Sequence, residues 1–318
     1  MKESRPWFSK KKRTIEERGV CSRIVPLPTG LATMVLCSGL QADGDTKMDY
    51  NEILYEQVDR VAKITLNRPH YRNPISRITI DELDDAFALA ADDDGIGSIV
   101  LCAKGTHFSA GHDIGTPEKV KDDEVRPFPE GVRGTFHRSW HLYIEHGLRW
   151  RNLPKPTIAV IQGKCIWGGW MVATTMDIIF AAEDAQFLGS NFQYFSVPWD
   201  IGIRKAKEIL FEPRLITARE ARDLGFVNRV FKDQAETERE AMEYAQRVAT
   251  NSIFSLRMTK VNINMAQDMQ GYSNHIIAAH TKPGGGSNRG AQLPTGGRRV
   301  APIAIAEENL GKTKGIDR

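Results

Sequence analysis

The chain has 318 residues, 41% hydrophobic and 26% charged, with a formal net charge of +3. This composition excludes wholesale disorder and collagen-like or coiled-coil rods, and no apolar run approaches the roughly 20 residues needed to cross a bilayer. Residues 1–47 and 282–318 each hold a surplus of four positive charges, whereas 48–281 holds 27 basic against 32 acidic residues, net −5. The body therefore gives no sign of specific nucleic-acid or membrane binding. Cys21, Cys37, Cys102 and Cys165 form no CxxC pair, which points to a reducing, cytoplasmic setting and away from a zinc ribbon.

Residues 1–47, with the basic run Lys10-Lys11-Lys12-Arg13, read as a disordered extension. Glu3, Glu16 and Glu17 argue against a secretory leader. Glu52–Val58 and Val61–Leu66 form a predicted hairpin around Asp59-Arg60. Ser76 caps a helix whose apolar residues Ile80, Leu83, Phe87 and Ala90 recur at helical spacing until Gly95. Ser98–Ala103 reads as a buried strand and 115–134, with its Pro and Gly, as a mobile loop. A helix over Trp140 to Trp150 precedes a second buried strand, Thr157–Ile161, then a glycine turn, an apolar helix and a third strand, Ile178–Ala182.

Thr217 to Glu220 is a capping box and Gly225 closes its helix. Ala235–Ala249 and Ile253–Met269 are two further helices, and 282–318 reads as a Gly-rich flexible tail. Strands alternating with helices predict an α/β fold with a parallel sheet over 48–230, followed by a helical region over 231–281.

Two glycine turns follow predicted strands. One is Phe108-Ser109-Ala110-Gly111-His112-Asp113-Ile114, the other Gly163-Lys164-Cys165-Ile166-Trp167-Gly168-Gly169, which opens a helix. Backbone that approaches a ligand this closely can aim two N–H groups at one oxygen and form an oxyanion hole.

In this order the two turns resemble those of the crotonase (enoyl-CoA hydratase/isomerase) superfamily. Further motifs carry the resemblance: Asn67-Arg68-Pro69 after a strand, Lys155-Pro156-Thr157, Asp177-Ile178-Ile179, and Ile216–Gly225 followed by Val227-Asn228-Arg229-Val230. The resemblance implies a spiral of βαβ units, a homotrimer or a dimer of trimers, and an acyl-CoA thioester as substrate, with coenzyme A as part of the substrate and no prosthetic group. It also implies an enolate held by the backbone N–H groups of His112 and Gly168. Arg72, Asn73 and Pro74 match the place where the family lines its CoA pocket, with Arg72 either pairing a CoA phosphate or standing free in solvent. Ala110, Gly111, Asp113 and Ile114 belong to the matching oxyanion-hole motif.

The pattern departs from the family where hydration uses two glutamates. Met171 and Asn191 stand there, and neither transfers a proton at neutral pH. One reading is decarboxylation of a malonyl-type thioester, because the two turns and Val197-Pro198 also resemble methylmalonyl-CoA decarboxylase. Trp199 then replaces a tyrosine. A second reading is hydratase, isomerase or hydrolase chemistry with relocated groups among Gln193, Tyr194, Phe195, Trp199, Asp200, His137 and His141. Asp200 is either a base or the N-cap of the next helix. A third is a non-catalytic CoA-binding homologue. Trp167, Met171 and Tyr194 are expected to line an apolar acyl pocket, and His137, His141 and His146 are too irregularly spaced for a metal site.

Overall fold

The computed structural model describes residues 49–281 and 302–313. The expectations for 1–47, 282–301 and 314–318 lie outside those residues.

Among the described residues, nine strands build two sheets. The larger has the order β1 (Ile53–Val58), β2 (Val61–Leu66), β3 (Ser98–Ala103), β4 (Thr157–Ile161), β6 (Ile178–Ala182) and β9 (Arg229–Phe231). The smaller runs β5 (Lys164–Ile166), β7 (Gln186–Leu188) and β8 (Ile216–Thr217). β1 and β2 pair antiparallel, closing at Asp59 with φ 53°, and every later neighbour in the large sheet is parallel.

β4 leads through a short turn into β5, and β6 into β7, so each winding of the chain adds a rung to both sheets. This is the spiral that the resemblance implies. β3 and β4 are buried along their whole length, as strands covered on both faces must be.

The helix after Ser76 forms as α1 (Arg77–Asp92). Ser76 accepts from the Thr79 amide, and Ile80, Leu83, Ala86, Phe87 and Ala90 are buried along one face. Thr217 caps α8 (Ala218–Asp223) by accepting from the Glu220 amide. α9 (Gln234–Ala249) lays Ala241, Ala245 and Ala249 on the sheet. Packing differs for α10 (Ile253–Met269). It buries only Lys260 and leaves Phe254, Met258, Ile263, Met265 and Met269 exposed.

The expected loop over 115–134 is instead largely helical. α2 (Pro117–Val125) starts at Thr116, which accepts from the Lys119 amide and is followed by Pro117 and Glu118; α3 (Gly131–Ser139) follows. A capping residue, proline at the first helical position and an acid in the first turn outweigh the Pro/Gly content of the stretch.

The predicted Trp140–Trp150 helix is split. Trp140–Glu145 is a π-helical segment and α4 spans His146–Arg151. The segment re-enters α-geometry beside Gly147, where a methyl group would meet the Tyr194 ring at 2.6 Å.

The flexible reading of the C-terminal tail is also corrected in part, because Pro302–Thr313 is helical (α12). Six of the tail's eight glycines precede Pro302, and the helix itself carries apolar residues. Ala306 and Leu310 pack on Ile166, Leu188 and Leu215, Lys164 pairs with Glu307 at 2.9 Å, and Asn309 bonds the Pro213 carbonyl.

Candidate active site

The two glycine turns are sewn together by backbone pairing. Ser109 bridges Cys165 and Ile75 bridges His112, both in parallel sense. Ile75 donates to the Gly111 carbonyl at 2.7 Å and accepts from the Asp113 amide at 3.0 Å. In that register the N–H of the intervening residue, His112, faces away from Ile75.

Gly168 opens α5 (Gly168–Ala173) after Trp167, which bends the chain at φ 43°, ψ −95°. A side chain at φ 43° is uncommon and frequent where function demands a tight turn. Among the described residues neither the His112 nor the Gly168 amide donates to a protein acceptor. A methyl group at Gly168 would sit 3.2 Å from the His112 nitrogen, so only glycine leaves the space in front of that amide open. The two predicted donors are therefore brought together.

Beside Gly168 lies a narrow apolar crevice of about 20 Å³, room for a single water. Ile75, Leu142, Tyr143, Gly168, Met171 and Val172 line it. Leu142 and Tyr143 come from the π-helical segment, a geometry frequent at functional sites. Met171 is buried in a cluster with Ile144, Tyr194, Tyr272 and Ile276; Met171 lines the crevice, whereas Tyr194 packs in the cluster without lining it.

The His112 imidazole lies beside the crevice. Both ring nitrogens are buried beside the Gln193 side chain, and burial pushes the pKa down to about 4, so the ring is neutral. Tyr143 stands edge-on at 4.9 Å and Phe192 lies 6.0 Å away. Burial also pushes the Tyr143 hydroxyl up to about 12.

Other expected residues sit elsewhere. Trp167 turns its ring to the α12 cluster and not to the crevice, because the bend that aims Gly168 N–H carries the Trp167 side chain outward. Asn191 is exposed, beside the buried Phe192. Asp200 does not cap the helix α7 (Ile203–Phe211), whose N-cap is Gly202. Lying at the end of α6 (Val197–Asp200), its carboxylate accepts from Trp170 Nε1, Thr174 Oγ1 and Ser196 Oγ, each at 2.7 Å.

Burial pushes the Asp200 pKa up against those three bonds. It lines a different cavity, of about 530 Å³ beneath α10, together with Arg151, Asp177, Trp199, Lys260 and Tyr272. The Trp199 N–H is spoken for by His275 Nδ1 at 3.1 Å. His137 is exposed, and His141 pairs with Glu145 at 2.8 Å on the surface. No cluster that could hold a metal ion occurs among the described residues.

Several motif residues hold the loops in place. Asn73 accepts from the Arg68 amide and donates to the Lys104 and His107 carbonyls. Pro74 offers its carbonyl to Arg68 Nη1, and the Ala110 amide donates to the Arg72 carbonyl. The Arg72 side chain is exposed and Ile114 is 93% exposed, so the former stays available to a phosphate.

Asp113 accepts from Arg68 Nη1 at 2.8 Å and from Thr116 Oγ1 at 2.6 Å, besides the Gly115 and Thr116 amides. Burial raises its pKa, but those bonds outweigh it and the net shift is downward.

Sequence reasoning treated Arg68 only as part of a turn motif. Its guanidinium joins Glu52 at 3.2 Å to Asp113, and so locks the first glycine turn from below. The only signal was an arginine in a motif turn next to no obvious acid, since both acids arrive from distant sequence. Tyr143 was likewise missed, because its stretch carried no motif.

Residues 56–280 match the enoyl-CoA hydratase/isomerase family. EchA13 of Mycobacterium tuberculosis, a relative named for enoyl-CoA hydratase, is 36% identical over 247 residues, 71% of this chain and 77% of its own length. A solved structure titled a probable enoyl-CoA hydratase, from Mycobacterium thermoresistibile, is 38% identical over 71% of this chain and 92% of its own, with a TM-score of 0.65. An enoyl-CoA hydratase/isomerase structure from Xanthobacter autotrophicus Py2 is 30% identical over 72% and 85%, again at 0.65. With the spiral of paired sheets and the motif order already described, these matches show that the chain belongs to the enoyl-CoA hydratase/isomerase family, with the crotonase fold.

Proposed function

We propose that this chain is an enzyme that binds an acyl-CoA thioester and stabilises an enolate-type oxyanion on the His112 and Gly168 amides. The observation that carries the reading is the pair of adjacent N–H groups without an acceptor among the described residues, next to an apolar crevice that Gly168 lines. Donors fixed before the reaction cost no reorganisation as charge develops, and each is worth about 3 kcal/mol in comparable sites. Arg72 is the candidate partner for a CoA phosphate. The crevice admits one water, so an acyl group must displace Met171 or the π-helical segment on entry.

Met171 supplies no proton-transferring group, and the exposed Asn191 supplies none either. Simple water addition is thereby slowed by about 10²-fold or more. Loss of CO₂ from a malonyl-type thioester needs no base: the C–C bond electrons move into the thioester carbonyl, the amides hold the enolate oxygen, and water protonates the carbon. This second reading is favoured by the Asp200 carboxylate being engaged by three donors away from the crevice.

The test is calorimetric titration with acyl-CoAs, then assays for water addition to crotonyl-CoA and CO₂ release from malonyl-type thioesters. Gly168→Ala puts a methyl in front of the His112 amide and is expected to lower kcat by about 10²-fold. Unchanged turnover in a folded variant overturns the assignment. Tight CoA binding with no turnover favours a non-catalytic homologue.

Assembly as a homotrimer follows the same reading. A 17-residue helix that buries only Lys260 and exposes Phe254, Met258, Met265 and Met269 suits a second copy of this chain as its cover. No helix among the described residues is long and apolar enough to cross a membrane.

A further inference from the structure

One step of the scheme above has no donor from the protein. Water addition and loss of CO₂ both pass through an enolate whose α-carbon must then take a proton, and neither buried Met171 nor exposed Asn191 supplies one.

The walls of the crevice narrow the choice. Apart from two glycines, they are Ile75, Ile80, Leu142, Met171 and Val172, which carry no exchangeable proton, and the aromatic residues Trp150 and Tyr143. Trp150 gives its Nε1 hydrogen to Asp84 Oδ1 at 2.9 Å and is thereby engaged. Tyr143 is the wall residue that remains. It is half-buried, and among the described residues its hydroxyl has no hydrogen-bond partner.

Tyr143 also stands next to the oxyanion hole. Its ring meets the His112 imidazole edge-on at 4.9 Å, and the imidazole Cε1 lies 3.3 Å from where a Gly168 methyl would be. Tyr143 and Gly168 thus border the same crevice with the His112 ring packed beside both. The tyrosine comes from the π-helical segment Trp140–Glu145, a geometry frequent where function places a side chain.

We propose that Tyr143 is the acid that protonates the α-carbon of the enolate, in place of the bulk water invoked above. This rests on the acyl-CoA reading and adds a proton donor to it. The carbon–carbon π electrons of the enolate form the new C–H bond, and the oxygen held by the two amides returns to a carbonyl. The O–H electrons stay on the Tyr143 oxygen, and a proton from solvent restores the hydroxyl as product leaves. Burial pushes this hydroxyl up to about 12, so at neutral pH it holds its proton and acts as an acid. An enolate carbon is a far stronger base than a phenolate, which makes the transfer downhill.

The experiment runs the full chain in D₂O on crotonyl-CoA and methylmalonyl-CoA, reading product formation and, by NMR, the deuterium at the α-carbon. A donor fixed on one wall delivers to one face, so the unaltered chain is expected to give a single configuration. Tyr143→Phe keeps the ring and removes only the hydroxyl. It is expected to slow product formation by about 10²-fold and to scatter deuterium over both faces, with butyryl-CoA affinity and melting temperature unchanged. Gly168→Ala is expected to slow turnover through the oxyanion hole while leaving deuterium on one face.

Undiminished turnover in Tyr143→Phe, or deuterium still on one face, overturns the role of Tyr143 and leaves the amides standing. A loss of turnover matched by an equal loss of butyryl-CoA affinity makes the residue a wall of the pocket and overturns it as a donor. No product from either substrate with the unaltered chain overturns the enzyme reading and Tyr143 with it.

Discussion

Two segments are each anchored by an aspartate. In the 105–116 turn Asp113 is held by the Arg68 cation together with hydroxyl and amide donors, and its pKa falls. In the 189–201 segment Asp200 is held by three neutral donors, and its pKa rises. Both carboxylates are satisfied in number of bonds. What differs is the full positive charge opposite one of them, and in a dry interior charge decides the balance against desolvation. The first segment is thus a rigid floor for the His112 amide, whereas the second is tied by bonds that a neutral side chain can replace.

The largest expected effect comes from removing the cation. Arg68→Met leaves Glu52 and Asp113 buried without their countercharge, and chemical denaturation is expected to show a loss of about 3–5 kcal/mol. Turnover should fall with it, since the His112 amide hangs from the same turn. A loss under about 1 kcal/mol would mean that the turn is held by its backbone bridges alone.

Acid acts on the first segment next. The His112 pKa is depressed to about 4 from an ordinary 6.5, so between those values the unfolded chain binds the extra proton and the folded one does not. Stability contributed by the neutral ring is full above about pH 6.5 and lost as pH falls towards 4, by about 3 kcal/mol in all. Urea midpoints measured across that window should decline, and His112→Leu should flatten the decline. An unaltered slope would show that the ring is not buried in solution.

The smallest effect separates the two aspartates. Asp200→Asn keeps an acceptor for Trp170 and Ser196 and lets its amide donate to the Thr174 hydroxyl, so a stability change within about 1 kcal/mol is expected. The sign follows from the raised pKa: the carboxylate's contribution is present at low pH and lost as pH rises through the folded value, and Asn removes that dependence. Asp113→Asn leaves Arg68 short of charge and should cost more. Equal costs at the two positions would remove the distinction drawn here, and abolished turnover in Asp200→Asn would return that residue to the role of base.

Much of this was legible in the residues themselves. Alternation of apolar runs with capped helices placed five of the six strands of the large sheet, all but β9, and the helix after Ser76, because burial and capping are written locally as spacing and residue type. The glycine turns and their order pointed to the family, since a backbone device leaves a trace only where a side chain would block it, as at Gly168. The 115–134 helices were hidden behind proline and glycine whose positional meaning, at a cap and a first turn, outweighed their average one.

Tertiary structure alone decided what pairs with what. Glu52, Arg68 and Asp113 are separated in sequence by up to 61 positions, yet meet in one buried network. Asp200 is claimed by Trp170 and Thr174, which lie 26 to 30 positions before it. Whether a charge is met or left waiting depends on which strands and helices are brought together, and pairwise electrostatics in a dry interior is a property of distance in space.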